Sequence, residues 1–358
     1  MLSLENITNT IHEWLNATMN PSLALLSEFV IIGICAIALF AMLGLSLVLM
    51  ERKVAAFMQL RLGPNRVGPF GIFQTVADTL KLMMKEGLTP DGADKFLFNL
   101  APFIVMIAAM MLLAPIAFAR GFQIWDINIG VLFLSAVSSV SVIGILMAGW
   151  ASNNKYSFLG AMRSGAQIVS YELSAGLSII TIVILTGSLQ ISDIVNSQEN
   201  GWWIFKGHIP VIISFITFLI AITAETNRAP FDLPEAESEL TAGFHTEYSG
   251  MKFALFFLSE YINIFIACAV GATLFFGGWM PFHIGNWEAF NHIMDYIPSS
   301  IWFMGKTFFL IFLLMWFRWT FPRLRVDQLL NLEWKYLLPI SMINLLAVTL
   351  MAIMGWHF

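Results

Sequence analysis

Eight predominantly apolar runs, each long enough to cross a bilayer as a helix, leave this chain of 358 residues few ways to fold outside a membrane. They cover roughly Leu23 to Met50, Phe96 to Ala119, Ile127 to Trp150, Ser164 to Leu189, His208 to Ala224, Phe253 to Trp279, Ile301 to Phe317 and Tyr336 to Trp356. Barrel strands would show as shorter segments of alternating polarity. The pattern therefore predicts an all-α polytopic membrane protein, with residues 1–358 forming a single membrane domain. Charged residues make up only 11% of the chain, too few to cover a soluble globule of this size. The first twenty residues contain no Lys or Arg, so the basic segment of a cleavable signal peptide is missing and the first run is expected to remain as a span.

The charges sort by side. Fifteen of the eighteen Lys and Arg residues fall in segments 51–95, 151–163, 225–252 and 318–335, while Arg120 and Lys206 lie on the other side and Lys306 falls within a span. Basic loops face the cytoplasm, which predicts both termini outside. The first of these loops, 51–95, contains the Gly- and Pro-punctuated turn "RLGPNRVGPFG" followed by "GIFQTVADTLKLMMKEG". In the latter, Ile72, Phe73, Val76, Leu80, Met83 and Met84 share one helical face, and Gln74, Asp78, Lys81 and Lys85 the other. An amphipathic interfacial helix is predicted, the alternative being a soluble helix packed on its own loop. "GPNRVGPFG" lacks the Gly-Lys-Ser/Thr ending of a phosphate-binding loop.

Loop 225–252 is acidic. Glu225, Asp232, Glu235, Glu237, Glu239 and Glu247 fall within 23 residues, with Arg228 the only basic residue among them. Carboxyls spaced by single residues, as in Glu235, Glu237 and Glu239, do not all ionise readily in a partly buried place, so some are expected to exchange protons near neutral pH. A solvated acidic loop is the plain alternative. Against it stands "RAPFDLP", whose two prolines and aromatic residue restrict the chain.

Within the spans, Glu172 in "SYELSAG" is either bonded to a neighbouring helix or part of a proton path. Glu225 and Glu260 raise the same choice, with Lys306 a candidate counter-ion for one of them. Glu28, near the outer end of the first span, is an ordinary interfacial carboxylate. Glu51 and Arg52, in "LMERKVAAF", form either a local pair or the lining of an opening at the cytoplasmic interface. Cys35 and Cys268 sit singly in apolar runs, so neither an iron-sulfur centre nor another metal site is expected on this chain. No matched halves of the kind found in many secondary transporters are visible.

The stretches "ERKVAAFMQLRLGPNRVGPFGIFQTVADTLKLMMKE", "GWASNNKYSFLGAMRSGAQIVSYELSAGLS" and "AETNRAPFDLPEAESELTAGFHTEYSGMKFALFFLSEY" are long and specific. Through them the chain resembles the H subunit family of bacterial respiratory complex I, the counterpart of mitochondrial subunit 1. The likeness runs from about Glu51 to the end. It leaves the first fifty residues and Met280 to Ser300 without a clear match.

The resemblance implies eight transmembrane helices plus an amphipathic helix in the first loop, in the bacterial inner membrane with both termini periplasmic. It implies a subunit of a proton-pumping NADH:quinone oxidoreductase that binds no redox cofactor itself. NADH, FMN and iron-sulfur clusters would belong to partner subunits, and quinone would be the substrate. By motif, Glu51 and Arg52 would lie near the quinone entrance, with Asp78 and Lys81 beside the chamber. Arg228, Asp232, Glu235, Glu237, Glu239 and Glu247 would face the chamber and the soluble partner subunits. Glu172, Glu225 and Glu260 would supply the path of buried carboxyls into the membrane. No residue has a catalytic role in the bond-breaking sense. The alternatives are the equivalent subunit of a membrane-bound hydrogenase complex, a stand-alone ion-coupled transporter and a passive anchor.

Overall fold

The computed structural model describes residues 4–199, 201–233, 240–283 and 287–355. Among these, eight helices are long and apolar enough to cross a membrane. A short helix α1 (Leu4–Thr18) precedes the first span, α2 (Pro21–Met58), and α3 (Gln74–Met84) lies in the connection to α4 (Lys95–Leu112). A hairpin of β1 (Ala117–Ala119) and β2 (Phe122–Gln123) then leads to α5 (Gly130–Ala151) and α6 (Lys155–Thr186). Two short helices, α7 (Ile191–Asn196) and α8 (Trp203–Lys206), connect to α9 (His208–Glu225). After the acidic loop come α10 (Gly250–Phe275), α11 (Glu288–Asp295) and α12 (Ser299–Thr320). The last span joins α13 (Val326–Leu332), a π-helical turn (Glu333–Leu337) and α14 (Leu338–Ile353).

Local chemistry sets the ends of these helices. Asp94 caps α4 by accepting from the amides of Phe96 (3.1 Å) and Leu97 (3.3 Å), and Asn154 caps α6 through the amide of Tyr156 at 2.9 Å. Gly187 closes α6 in the left-handed conformation at φ 71°.

Helices continue past the apolar runs that predict them. The first begins at Pro21 and ends at Met58, so Glu51 and Arg52 sit on its final turns rather than in the loop that follows. The fourth begins at Lys155 rather than near Ser164. Hydropathy marks the part of a helix in contact with lipid, whereas backbone hydrogen bonding carries the helix on through the interface. Conversely, α4 stops at Leu112, and its apolar continuation forms a turn and β1.

Packing centres on α10, the most buried of the eight, while the first and last spans are the least covered. Phe40, Leu47, Ala109, Phe218, Phe265, Ala269 and Phe303 form part of the largest core cluster. The loops rich in Lys and Arg meet at one end of the bundle. There the Leu88 amide donates to Ser249 Oγ at 3.0 Å, and a Cβ added to Gly160 of α6 would lie 2.8 Å from the Gly243 backbone. That approach seats the end of the acidic loop directly on α6.

Candidate functional site

At the basic end, the last turns of α2 turn Glu51 inward and Arg52 outward. Glu51 is 6% exposed. It pairs with Arg318 of α12, and its Oε2 lies 3.4 Å from Arg228 Nη1. Arg52 Nη1 donates to Asp78 Oδ2 on α3 at 2.5 Å, Gln74 Nε2 donates to Asp78 Oδ1 at 3.2 Å, and Lys81 Nζ lies 3.9 Å from Asp78. Burial pushes the Asp78 carboxyl upward, but the hydrogen bonds from Arg52 and Gln74 and the nearby cations outweigh it and hold the group below its usual range. This clasp therefore persists at neutral pH and is lost only in acid, as pH falls through that lowered value. Lys53 Nζ fastens the turn region by donating to the Pro64 carbonyl at 2.6 Å. Between these parts opens a cavity of about 550 Å³, lined among others by Glu51, Arg52, Arg61, Tyr261, Arg318 and Trp319.

From that cavity a series of carboxyls leads inward. Arg228 is 6% exposed and lies over the Tyr261 ring at 4.4 Å. Its Nε is 3.4 Å from Glu260 Oε1, so one guanidinium joins the carboxylates of two helices, Glu51 on α2 and Glu260 on α10. Glu260 lines a second cavity together with Glu225, and Glu225 lines a third together with Glu172. Ser141, Thr226 and Asn263 line both of these cavities, which are therefore neighbours. Asn263 Oδ1 is buried there without a hydrogen-bond partner among the described residues. Glu172 accepts from Ser139 (2.5 Å) and Ser138 (3.3 Å) of α5. The neighbouring-helix reading of Glu172 thus describes its contacts, and the same carboxyl ends the series of cavities.

The root of the acidic loop is clamped on two sides. Gln167 Nε2 of α6 donates to the carbonyls of Ala224 and Phe231, both at 2.7 Å. On the other side, Arg323 Nη2 donates to Asp232 at 2.9 Å and the Leu324 amide donates to the Pro230 carbonyl at 3.0 Å. Glu235, Glu237 and Glu239 lie outside the described residues. Glu247 stands apart from the series: it accepts from Asn154 Nδ2 at 2.5 Å and lines a separate cleft with Pro90, Asn153 and Lys155.

Lys306 is not a counter-ion for the membrane glutamates. Its ammonium donates to the carbonyls of Phe276 (2.7 Å), Gly278 (2.9 Å) and Met280 (2.6 Å), just beyond the C-terminal end of α10, and lies 4.3 Å from the Trp202 ring. Three carbonyls use its three donors, and Arg228 takes the position beside Glu260 instead.

His245, in the 3-10 turn Gly243–His245, carries no signal in the sequence pattern. It packs against Phe244, with ring centroids 3.7 Å apart, and against Phe253 and Phe256. Burial pushes its imidazole down to about 3, so it is neutral at physiological pH. Below about pH 6.5 an unfolded chain takes up a proton that the folded one refuses until about pH 3, so folding weakens as pH falls through that window. At pH 5 this amounts to about 2 kcal/mol. Thermal midpoints measured at pH 7.5 and pH 5 are expected to separate less in His245→Phe than in the unsubstituted protein.

Arg318 and Arg323 complete the site and are visible in sequence only as part of the basic-loop count. Among the described residues, no group of three or more His, Cys, Asp and Glu side chains gathers as a metal site.

Eight membrane-length helices around a row of buried and half-buried carboxyls, two of them joined by an arginine, define a multi-pass membrane protein with an ionisable interior. The family model described as NADH dehydrogenase matches residues 30–349. A Bacteroides fragilis protein named as the H subunit of NADH-quinone oxidoreductase is 58% identical over 358 residues, covering 100% of both chains. Its namesake in Bacteroides thetaiotaomicron is also 58% identical over 358 residues, with 100% of both chains covered, and that of Bacillus cytotoxicus is 50% identical over 325 residues, covering 90% of this chain and 94% of its own. The chain belongs to the NADH dehydrogenase family, among relatives named as the H subunit of NADH-quinone oxidoreductase. The Bacteroides alignments also take in the first fifty residues and Met280 to Ser300, the regions for which the motifs gave no match.

Proposed function

We propose that this chain admits quinone to an NADH:quinone oxidoreductase and couples its reduction to proton translocation. One observation carries the reading: a series of ionisable side chains, four carboxyls and one guanidinium, runs from the basic-end cavity inward through Glu51, Arg228, Glu260, Glu225 and Glu172, each step being an ion pair or a shared cavity. Such a series inside a membrane is costly to keep without a use. The cavity at its mouth combines cationic Arg52, Arg61 and Arg318 with the aromatic walls of Tyr261 and Trp319, a lining suited to a polar head group on an apolar tail.

Reducing a quinone to quinol takes two electrons and two protons. The electrons would come from partner subunits carrying NADH, FMN and iron-sulfur chemistry, since this chain is read as holding no redox centre. Its own residues would respond to the change in charge. Arg228 is shared between Glu51 and Glu260, so protonating either carboxyl strengthens its attraction to the other and alters how readily the next acid gives up its proton. Glu225 and Glu172 would extend that response into the bilayer. The glutamates at 235, 237 and 239 and Asp232 would face the soluble partners, with Glu247 at the edge of that surface. Loops 51–95 and 225–252 would be cytoplasmic, both termini periplasmic, and α3 interfacial, with Val76, Leu80 and Met83 exposed on it.

Purification in mild detergent tests the assembly: soluble iron-sulfur and flavin subunits should accompany the chain, and a nickel-iron hydrogenase component in their place would overturn the reading. Arg52→Ala tests the entrance. Opening the clasp to Asp78 is expected to lower turnover with long-tailed quinones by about tenfold, while NADH oxidation by an artificial acceptor is retained. Equal loss of both activities, in a complex of normal subunit content, would instead assign Arg52 to folding or electron input.

A further inference from the structure

Glu333 lies outside the glutamate series. It opens the π-helical turn Glu333–Leu337 in the last span and is 0% exposed, whereas Trp334, Lys335 and Tyr336 after it face outward. One carboxyl oxygen accepts from Ser174 Oγ of α6, and the other, Oε2, is buried with no hydrogen-bond partner among the described residues. Tyr171 is the titratable group facing it from α6, and that hydroxyl is directed to the Leu329 carbonyl at 3.0 Å. Further along the junction of α6, α9 and α14 the polar side chains serve one another: Ser178 and Thr217 lie 2.7 Å apart, and Asn344 Nδ2 donates to Ser214 Oγ at 2.7 Å. Among the described residues no Lys, Arg or His forms an ion pair with Glu333.

A carboxylate with one neutral hydrogen bond and no counter-charge is expensive to bury, whereas the uncharged acid costs far less. We propose that Glu333 is a proton-binding site separate from the glutamate series, holding a proton in the seam between α6 and the last span at neutral pH. The location gives that proton structural leverage. Ser174 lies one helical turn from Tyr171, whose ring packs at a tilt against Phe231 at the root of the acidic loop, with centroids 5.4 Å apart, and the π turn is where the last span's regular hydrogen bonding is already interrupted. Releasing the proton would place a charge between these elements and force them apart or draw in water.

Infrared difference spectra of the assembled complex read this carboxyl directly, without reference to quinone turnover. A protonated-acid C=O band present across the neutral pH range should be lost in Glu333→Gln. In Ser174→Ala the same band should persist at a shifted frequency, because one hydrogen bond to it is gone. Loss of a carboxylate band in place of an acid band in Glu333→Gln would overturn the proposal. If that variant fails to assemble, Ser174→Ala decides, since an acid region identical to the unsubstituted complex would overturn it equally.

Discussion

Arg228→Met is expected to destabilise the protein by about 3–5 kcal/mol, the usual result of removing one partner from a buried ion pair, and to abolish most quinone-reductase activity. Arg228 is 6% exposed and holds Glu51 and Glu260 from two different spans while covering Tyr261. Its removal leaves Glu51 with Arg318 but takes the cation from beside Glu260. Arg228→Lys should fall between the two, because a single ammonium replaces a planar fork that reaches both carboxylates. The amount of assembled complex and its thermal midpoint in detergent measure the effect. Unsubstituted stability in the Met variant would show that the helices hold their places without this link.

Replacing Glu235, Glu237 and Glu239 together by Gln is expected to leave the complex assembled and to lower both quinone reduction and proton uptake by about tenfold or more. Each deprotonation in such a run raises the cost of the next, so the three should share fewer than three negative charges near neutral pH. Gln preserves shape and hydrogen bonding while removing the titratable sites. If these acids only solvate a loop, the change should be nearly silent, since isolated surface substitutions shift stability by less than roughly 0.5 kcal/mol. Rates normalised to assembled complex separate the two cases.

The spans were legible because apolar runs of bilayer length have few other uses, and the acidic motif stood out against them. Other features depend on through-space pairing that a sequence does not display. Arg318 and Arg323 look like ordinary interfacial cations, yet one reaches Glu51 and the other Asp232 across large sequence separations. Lys306 has the charge expected of a glutamate partner, but the carbonyls beyond the end of α10 claim it. Glu51 reads as a loop residue only because hydropathy ends before the helix does. Glu333 sits where the last span begins and resembles an interfacial charge, since neither its burial nor the π turn leaves a compositional trace. Glu247 belongs to the acidic run by sequence and to another cleft by position.

Coupling of quinone reduction to proton movement through the carboxyls of this chain can be measured at Glu225, which lines both inner cavities and so joins Glu260 to Glu172. Glu225→Gln should assemble, because the amide keeps the volume of the acid. With the complex reconstituted into sealed vesicles, the number of protons translocated per quinone reduced is the quantity to measure. A pronounced fall in that ratio is expected, or loss of turnover with it; an unchanged ratio at an unchanged rate would remove Glu225 and the coupling assigned to it.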